Sequence, residues 1–91
     1  MNVLLSEPWS YDLIETGPGE LDLVVVCGSV GLYEVVMRLT PAEHDAWLAE
    51  GAPFVRTVVE DIRNNHPGGR FGERCRPYRR VSTGDGTSSR G

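Results

Sequence analysis

The sequence predicts an α+β domain, in which a three- to four-stranded antiparallel meander packs on one broken or two consecutive helices. Apolar and polar residues alternate up to Leu39, which is typical of half-buried strands, and apolar residues then recur with helical spacing. The change falls at Thr40-Pro41-Ala42-Glu43. A threonine N-cap, a proline at the first helical position and a glutamate at the third form a capping box, which predicts a helix start.

Four strands are expected before the helices, at about residues 3–5, 11–15, 21–27 and 32–39. Proline and glycine residues between them predict turns, and the loop after Cys27 is short enough for a hairpin. One face of the last two strands is continuously apolar and predicts the core; it carries Leu21, Leu23, Val25, Cys27, Tyr33, Val35, Met37 and Leu39. The other face has no obvious cover and is a candidate contact surface; it carries Val24, Val26, Leu32 and Val36.

Two helices are expected at about residues 41–50 and 53–65, because Gly51 and Pro53 interrupt the apolar repeat. An unbroken helix over residues 41–65 would extend roughly 37 Å, too long for so small a domain. Several breakers then end the second helix. Residues 1–81 are predicted to form a single domain, and residues 82–91 have the composition of a flexible, disordered tail.

The composition excludes several classes of protein. No apolar run approaches the roughly 20 residues of a membrane span, and the first residues lack the features of a signal peptide, so we expect a cytoplasmic protein with no membrane contact. The net charge of −4 is unevenly placed, with −8 in residues 1–66 and +4 in residues 67–91. An acidic body repels nucleic acid and attracts basic partners.

No motif in the chain specifies a reaction, so no catalytic residue, cofactor site or metal site is predicted. Cys27 and Cys75 are expected to stay unpaired, with Cys27 buried in a strand and Cys75 a free thiol whose pKa nearby arginines would lower. His44 lies between two acids in a first helical turn, where the dipole favours acids in any case. Neither histidine is assigned a role, and an enzyme is not expected.

An arginine-rich segment over residues 70–80 is the best nucleic-acid footprint in the chain, but the acidic body would offset its attraction. We therefore expect the segment to contact the body or a protein, and nucleic-acid binding is not expected. The aromatic and acidic residues around Trp9 form a patch suited to arginine-rich partners, although a core tryptophan is an equal alternative.

The order of elements, read through Leu21–Gly28, Gly31–Val35 and Leu39–Glu43 and ending near His66-Pro67, resembles small immunity proteins of bacterial polymorphic-toxin systems. The similarity covers about residues 20–75 and is one of size, acidity and layout, so it assigns no role to any residue. It implies a rigid, acidic, non-catalytic domain that binds and blocks a cognate toxin.

The first hypothesis is therefore an immunity-type inhibitor that binds a cognate basic protein, with the acidic residues around the meander as its contacts. Steering by opposite charge would make such an association fast. The predicted partner-binding residues are Trp9, Asp12, Glu15, Glu20, Asp22 and Glu34. The alternative is a homodimeric accessory or regulatory domain that pairs through the apolar second face of the sheet.

Overall fold

A computed structural model describes residues 2–28, 31–66 and 68–78, and it confirms the predicted α+β class. A five-stranded antiparallel sheet with the strand order β1-β2-β3-β4-β5 carries two consecutive helices on one face. The elements are β1 (Asn2–Glu7), β2 (Tyr11–Gly17), β3 (Glu20–Cys27), β4 (Tyr33–Arg38), α1 (Pro41–Glu50), α2 (Ala52–Asn65), a short 3-10 helix (Gly72–Arg74) and β5 (Arg76–Pro77). The tail predicted over residues 82–91 lies outside the described residues.

The sheet is larger than the sequence pattern indicates. Strand β1 is longer than the expected residues 3–5, because its pairing with β2 continues to Glu7 opposite Tyr11. Strand β5 was not predicted, since two residues are too few to show an alternation. Its Arg76 and Pro77 pair with Val36 and Val35 of β4 and so extend the sheet at that edge.

The core lies between the sheet and α2. Helix α2 contributes a stripe of four buried side chains, Val55, Val58, Val59 and Ile62, and these pack on the apolar face predicted for the strands. One strand residue differs from the prediction. Tyr33 shares the core face by alternation, but it stands at the sheet end and is 42% exposed.

The second face of the sheet, which we call the open face because the core and the helices lie on the other side, is not the bare apolar surface that the sequence predicts. That prediction is wrong for Val24, which is 1% exposed. Its cross-strand partners are Asp12 and Val36, and the row beside it holds the ion pair between Asp22 and Arg38. Neighbours on the adjacent strands therefore cover Val24, and Val26 and Val36 are half-buried.

The helices begin and break where the sequence predicts. The hydroxyl of Thr40 accepts from the backbone N–H of Glu43, and the Glu43 carboxylate accepts from the backbone N–H of Thr40, so the capping box is present. Gly51 separates α1 from α2 with a φ of 73°, a backbone conformation that glycine adopts without a steric penalty. Neither described helix is long and apolar enough to cross a membrane.

Candidate protein-binding groove

An open apolar groove of about 980 Å³ lies at one end of the sheet. It is built where the β1–β2 turn, the β3–β4 connection and the chain around β5 come together. Most of its walls are aromatic rings, prolines and valines, and the lining residues are Pro8, Trp9, Val26, Leu32, Tyr33, Glu34, Val35, His66, Pro77 and Tyr78. Leu32, at 60% exposed, adds an apolar side chain that the fold leaves in solvent.

Trp9 stands at the β1–β2 turn and is the most unusual residue of the groove. Its side chain is 82% exposed, and its backbone φ is 65°. Among the described residues no other non-glycine residue has a positive φ. The turn is closed by the backbone N–H of Ser10, which donates to the carbonyl of Glu7 at 3.0 Å. A left-handed conformation costs an L-residue roughly 1–2 kcal/mol, and here it supports an indole that contributes little to the core.

Tyr33 and His66 form another wall, which the end of α2 holds in place. The Tyr33 hydroxyl and Nδ1 of His66 are hydrogen-bonded at 3.0 Å, and their ring centroids are 5.6 Å apart. Gly28 lies close to this pair. A Cβ there would come within 2.5 Å of the Gly31 carbonyl oxygen and 3.3 Å of the Tyr33 ring, so a side chain would clash with the Gly31 backbone and press on the tyrosine.

The structure divides the predicted partner-binding residues. Trp9 and Glu34 both line the groove. Asp12 lies one row away on the open face, paired with Val24, and its carboxylate accepts a hydrogen bond from the Ser6 hydroxyl at 2.6 Å. These three form a connected surface at the groove end of the sheet.

The other three predicted residues lie elsewhere. Asp22 forms an ion pair with Arg38, and Glu20 lies 4.0 Å from the same guanidinium at the far end of β3. Glu20 is six residues from Val26, so about 20 Å of strand separates it from the groove. Glu15 falls on the opposite face by alternation, where it accepts from the Asn2 side chain at 3.4 Å.

Sequence reasoning missed most of the groove. Tyr33 and Leu32 read as ordinary members of an alternating strand, and His66 read as part of a helix stop. Tyr78 reaches the groove only because β5 pairs with β4, which places its backbone N–H 2.9 Å from the Glu34 carbonyl. A local signal did exist, since Pro8 next to Trp9 in a short turn predicts an exposed indole. The positive φ of Trp9 had no signal in the sequence.

The arginine-rich segment folds back on the body, as the sequence indicates. Arg74 reaches α1 and binds both oxygens of Glu43, at 2.7 and 2.8 Å, and it also donates to the Arg38 carbonyl at 2.8 Å. These hydrogen bonds are the main reason why the pKa of the Glu43 carboxyl is lowered. Arg70 packs over the Phe71 ring, and Arg76 donates to backbone carbonyls within its own segment. Arg79 and Arg80 lie outside the described residues.

Both thiols are buried in the core. Cys27 and Cys75 are both unpaired, as expected, but Cys75 is buried in the core cluster rather than exposed. Burial raises the pKa of both thiols, and for Cys75 it outweighs the opposite effect of Arg74 and Arg76. The expected lowering is therefore wrong. Within residues 2–28, 31–66 and 68–78, no group of three or more His, Cys, Asp or Glu side chains could hold a metal ion.

His44 lies half-buried on α1 and gives no indication of chemistry. The groove is thus the feature of the described chain best suited to contact another molecule. Comparisons with known protein families, with curated proteins and with solved structures found no match for this chain.

Proposed function

We propose that this chain is a small, acidic, non-enzymatic protein-binding domain that acts as an immunity-type inhibitor and blocks a cognate basic protein. The observation that carries the proposal is Trp9, whose indole is 82% exposed on a backbone with φ 65°. A fold gains nothing from a strained turn that presents a large aromatic ring to water. A binding surface does gain from such a turn, because tryptophan is among the residues that contribute most to the binding energy of protein interfaces.

The surroundings of Trp9 support a protein partner. The groove beside it is lined mainly by apolar and aromatic residues, with Glu34 and His66 among them, and an apolar surface with a few polar groups is usual at a protein interaction site. The net charge of −4 favours a basic partner, and Asp12 and Glu34 place carboxylates beside the groove. Opposite charges would accelerate the encounter, while Trp9 would slow dissociation. A partner whose activity depends on a basic cleft would be blocked when this surface covers the cleft.

The first test is capture of a partner by the immobilised full-length protein from a lysate of its own organism, with a salt gradient for elution. The variant Trp9→Asn removes the indole and keeps a residue that tolerates positive φ, so it should fold. Leu48→Ala on α1 is the matched control, since Leu48 is an apolar side chain that is 70% exposed outside the groove. We expect one basic protein, released at high salt, whose recovery falls at least about tenfold with Trp9→Asn alone.

Equal recovery by the Trp9→Asn variant would contradict the proposed surface. If the only protein captured is the chain itself, the result would favour the homodimer. With Val24 buried, Val26, Leu32 and Val36 remain as the predicted apolar contacts of that dimer. Inhibition needs a second readout. The captured protein, expressed by itself, should arrest growth, and coexpression of the wild-type chain, but not of Trp9→Asn, should restore it. If expression of the captured protein did not arrest growth, the inhibitor role would be contradicted, while the role as a protein-binding domain would stand.

A further inference from the structure

We propose that the groove binds an extended, proline-rich segment of the partner protein, with a basic residue beside the prolines. This inference rests on the proposed function, because it names the segment of the partner that the groove recognises. The choice of this occupant follows from the rings of the groove, from the sheet edge behind them and from the charge of the domain.

The rings of the groove suit proline. Three partly or largely exposed aromatic side chains line it, those of Trp9, Tyr33 and Tyr78. Two prolines, Pro8 and Pro77, extend the same surface. Aromatic-lined grooves of this kind bind polyproline II segments, because the rigid pyrrolidine rings pack against the faces of the aromatic side chains. The composition of the groove therefore favours proline over other apolar residues.

Trp9 supplies the polar contact that such a segment needs. A polyproline II segment has no internal hydrogen bonds, so its carbonyl groups remain available as acceptors. The indole N–H of Trp9 is a hydrogen-bond donor on a side chain that is 82% exposed. One indole can therefore pack on a proline ring and donate to a backbone carbonyl of the same segment.

The groove is held in place before the segment arrives. The Tyr33 hydroxyl and Nδ1 of His66 are hydrogen-bonded at 3.0 Å, and the backbone bond from Ser10 to Glu7 closes the turn that presents Trp9. A proline-rich segment is itself stiff in solution. Little conformational freedom is then lost on either side, which favours binding in an open groove.

The sheet edge at the groove opposes a partner that binds as a strand. Strand addition needs backbone groups on the edge strand that are not yet paired. In β4, Val35 already pairs with Pro77, and the Glu34 carbonyl accepts from the backbone N–H of Tyr78 at 2.9 Å. A segment in the groove must therefore be recognised through its side chains and carbonyl groups, as a polyproline II segment is.

The charge of the domain favours a basic residue beside the prolines. Eight of the ten lining residues belong to residues 1–66, which carry a balance of −8. Glu7 is exposed and directly precedes the lining residue Pro8. This field attracts a basic flanking residue and repels an acidic one. It also opposes a second copy of this acidic chain as the occupant.

The test uses the full-length, ¹⁵N-labelled protein and three capped heptapeptides. The first is arginine followed by six prolines, the second is arginine followed by six alanines, and the third is glutamate followed by six prolines. Nuclear magnetic resonance reports binding through the indole N–H signals of the two tryptophans. We expect the first peptide to shift the signal of Trp9 and not that of Trp47, which packs against the core.

The other two peptides separate the prolines from the charge. The alanine peptide should bind about tenfold more weakly than the first, because it lacks the rings that pack on the groove. The glutamate peptide should bind about threefold more weakly at low salt, and this difference should shrink at high salt. Equal binding of the first peptide and either of the others at low salt, or an unmoved Trp9 signal, would overturn the proposal.

Two variants of the protein locate the contact, with the backbone amide signal of Leu32 as the readout. Tyr33→Ala removes one ring of the groove and should weaken the first peptide about fivefold. Trp9→Phe keeps a ring but removes the N–H donor and should weaken it about threefold. Leu48→Ala on α1 is the control and should change nothing. Unchanged affinity in both groove variants would overturn the proposal.

Failure of this inference is distinguishable from failure of the proposed function. Capture from the lysate that depends on Trp9, combined with equal binding of the proline and alanine peptides, would retain the protein-binding surface and reject the proline-rich segment alone. Capture that does not depend on Trp9 would contradict both.

Discussion

The two helices of this domain are neighbours in sequence and are held to the sheet by different forces. Helix α2 buries four aliphatic side chains against the strands. Helix α1 buries none completely; its Trp47 is half-buried and its Leu48 is 70% exposed. Helix α1 contacts the core through the partly buried Trp47, and the ion pair between Glu43 and Arg74 adds a polar attachment at its capped N-terminus. The comparison teaches that α2 depends on a buried aliphatic stripe, whereas α1 depends on one partly buried indole and on charged hydrogen bonds.

The largest loss of stability is expected when a buried side chain of α2 is removed. Ile62→Ala removes a side chain of α2 that is only 2% exposed, so it should lower the free energy of unfolding by about 3 kcal/mol. Urea denaturation followed by circular dichroism measures this. Glu60→Ala, on the exposed side of the same helix, should change the free energy by less than about 0.5 kcal/mol. Similar losses for the two variants would mean that α2 is not held by its buried stripe.

The sequence predicts where both helices lie, but it predicts the contacts of only one of them. The stripe of α2 and the capping box of α1 are local patterns, so Thr40, Glu43 and the break at Gly51 could all be read from the chain. The ion pair that attaches α1 to the rest of the domain could not be predicted from the chain. Arg74 lies 31 residues after Glu43 and is one of several arginines in a polar segment, so only the path of the folded chain selects it.

Prediction of the groove from the sequence has the same limit, because contacts between distant residues are not visible in local patterns. Trp9 and Glu34 stood out by residue type, because an indole and carboxylates suit a basic partner. The remaining walls depend on pairings between distant strands, above all on β5, which brings Tyr78 beside Glu34. Burial of Val24 likewise depends on its neighbours across the sheet, which an alternating pattern in one strand does not reveal. Residue type thus gave the chemistry of the surface, while tertiary pairing decided its position.

An intermediate loss of stability is expected when the ion pair between Arg74 and Glu43 is removed. Arg74→Gln removes the two hydrogen bonds to Glu43 and weakens the one to the Arg38 carbonyl, so it should cost about 1–2 kcal/mol. The loss should be concentrated in α1. Hydrogen exchange should show its amides opening faster while those of α2 change little. Arg70→Gln serves as the control, since Arg70 touches only the Phe71 ring in the described contacts. Uniform acceleration in both helices would contradict a separate attachment of α1.

The smallest effect is a pH dependence that belongs to α1 alone. Hydrogen bonds from Arg74 lower the pKa of Glu43 in the folded protein, so its ionised form stabilises the fold at pH values above about 4.3, the usual pKa of an unfolded glutamate. That stabilisation is lost as the pH falls through the lowered pKa. The stability difference between wild type and Glu43→Gln should therefore be about 1 kcal/mol at pH 6 and shrink as the pH falls below about 4.3.

Paired urea titrations of the two proteins across this range measure the difference directly, and effects common to both proteins cancel. Glu50→Gln is the matched control, because Glu50 is exposed at the other end of α1 and its replacement should change the free energy of unfolding by less than about 0.5 kcal/mol. A Glu43→Gln difference that stays constant down to the pH at which the protein unfolds would show that the cap, and not the charge on Glu43, attaches α1. Since the buried stripe of α2 contains no titratable group, the acid-sensitive part of this comparison lies in α1.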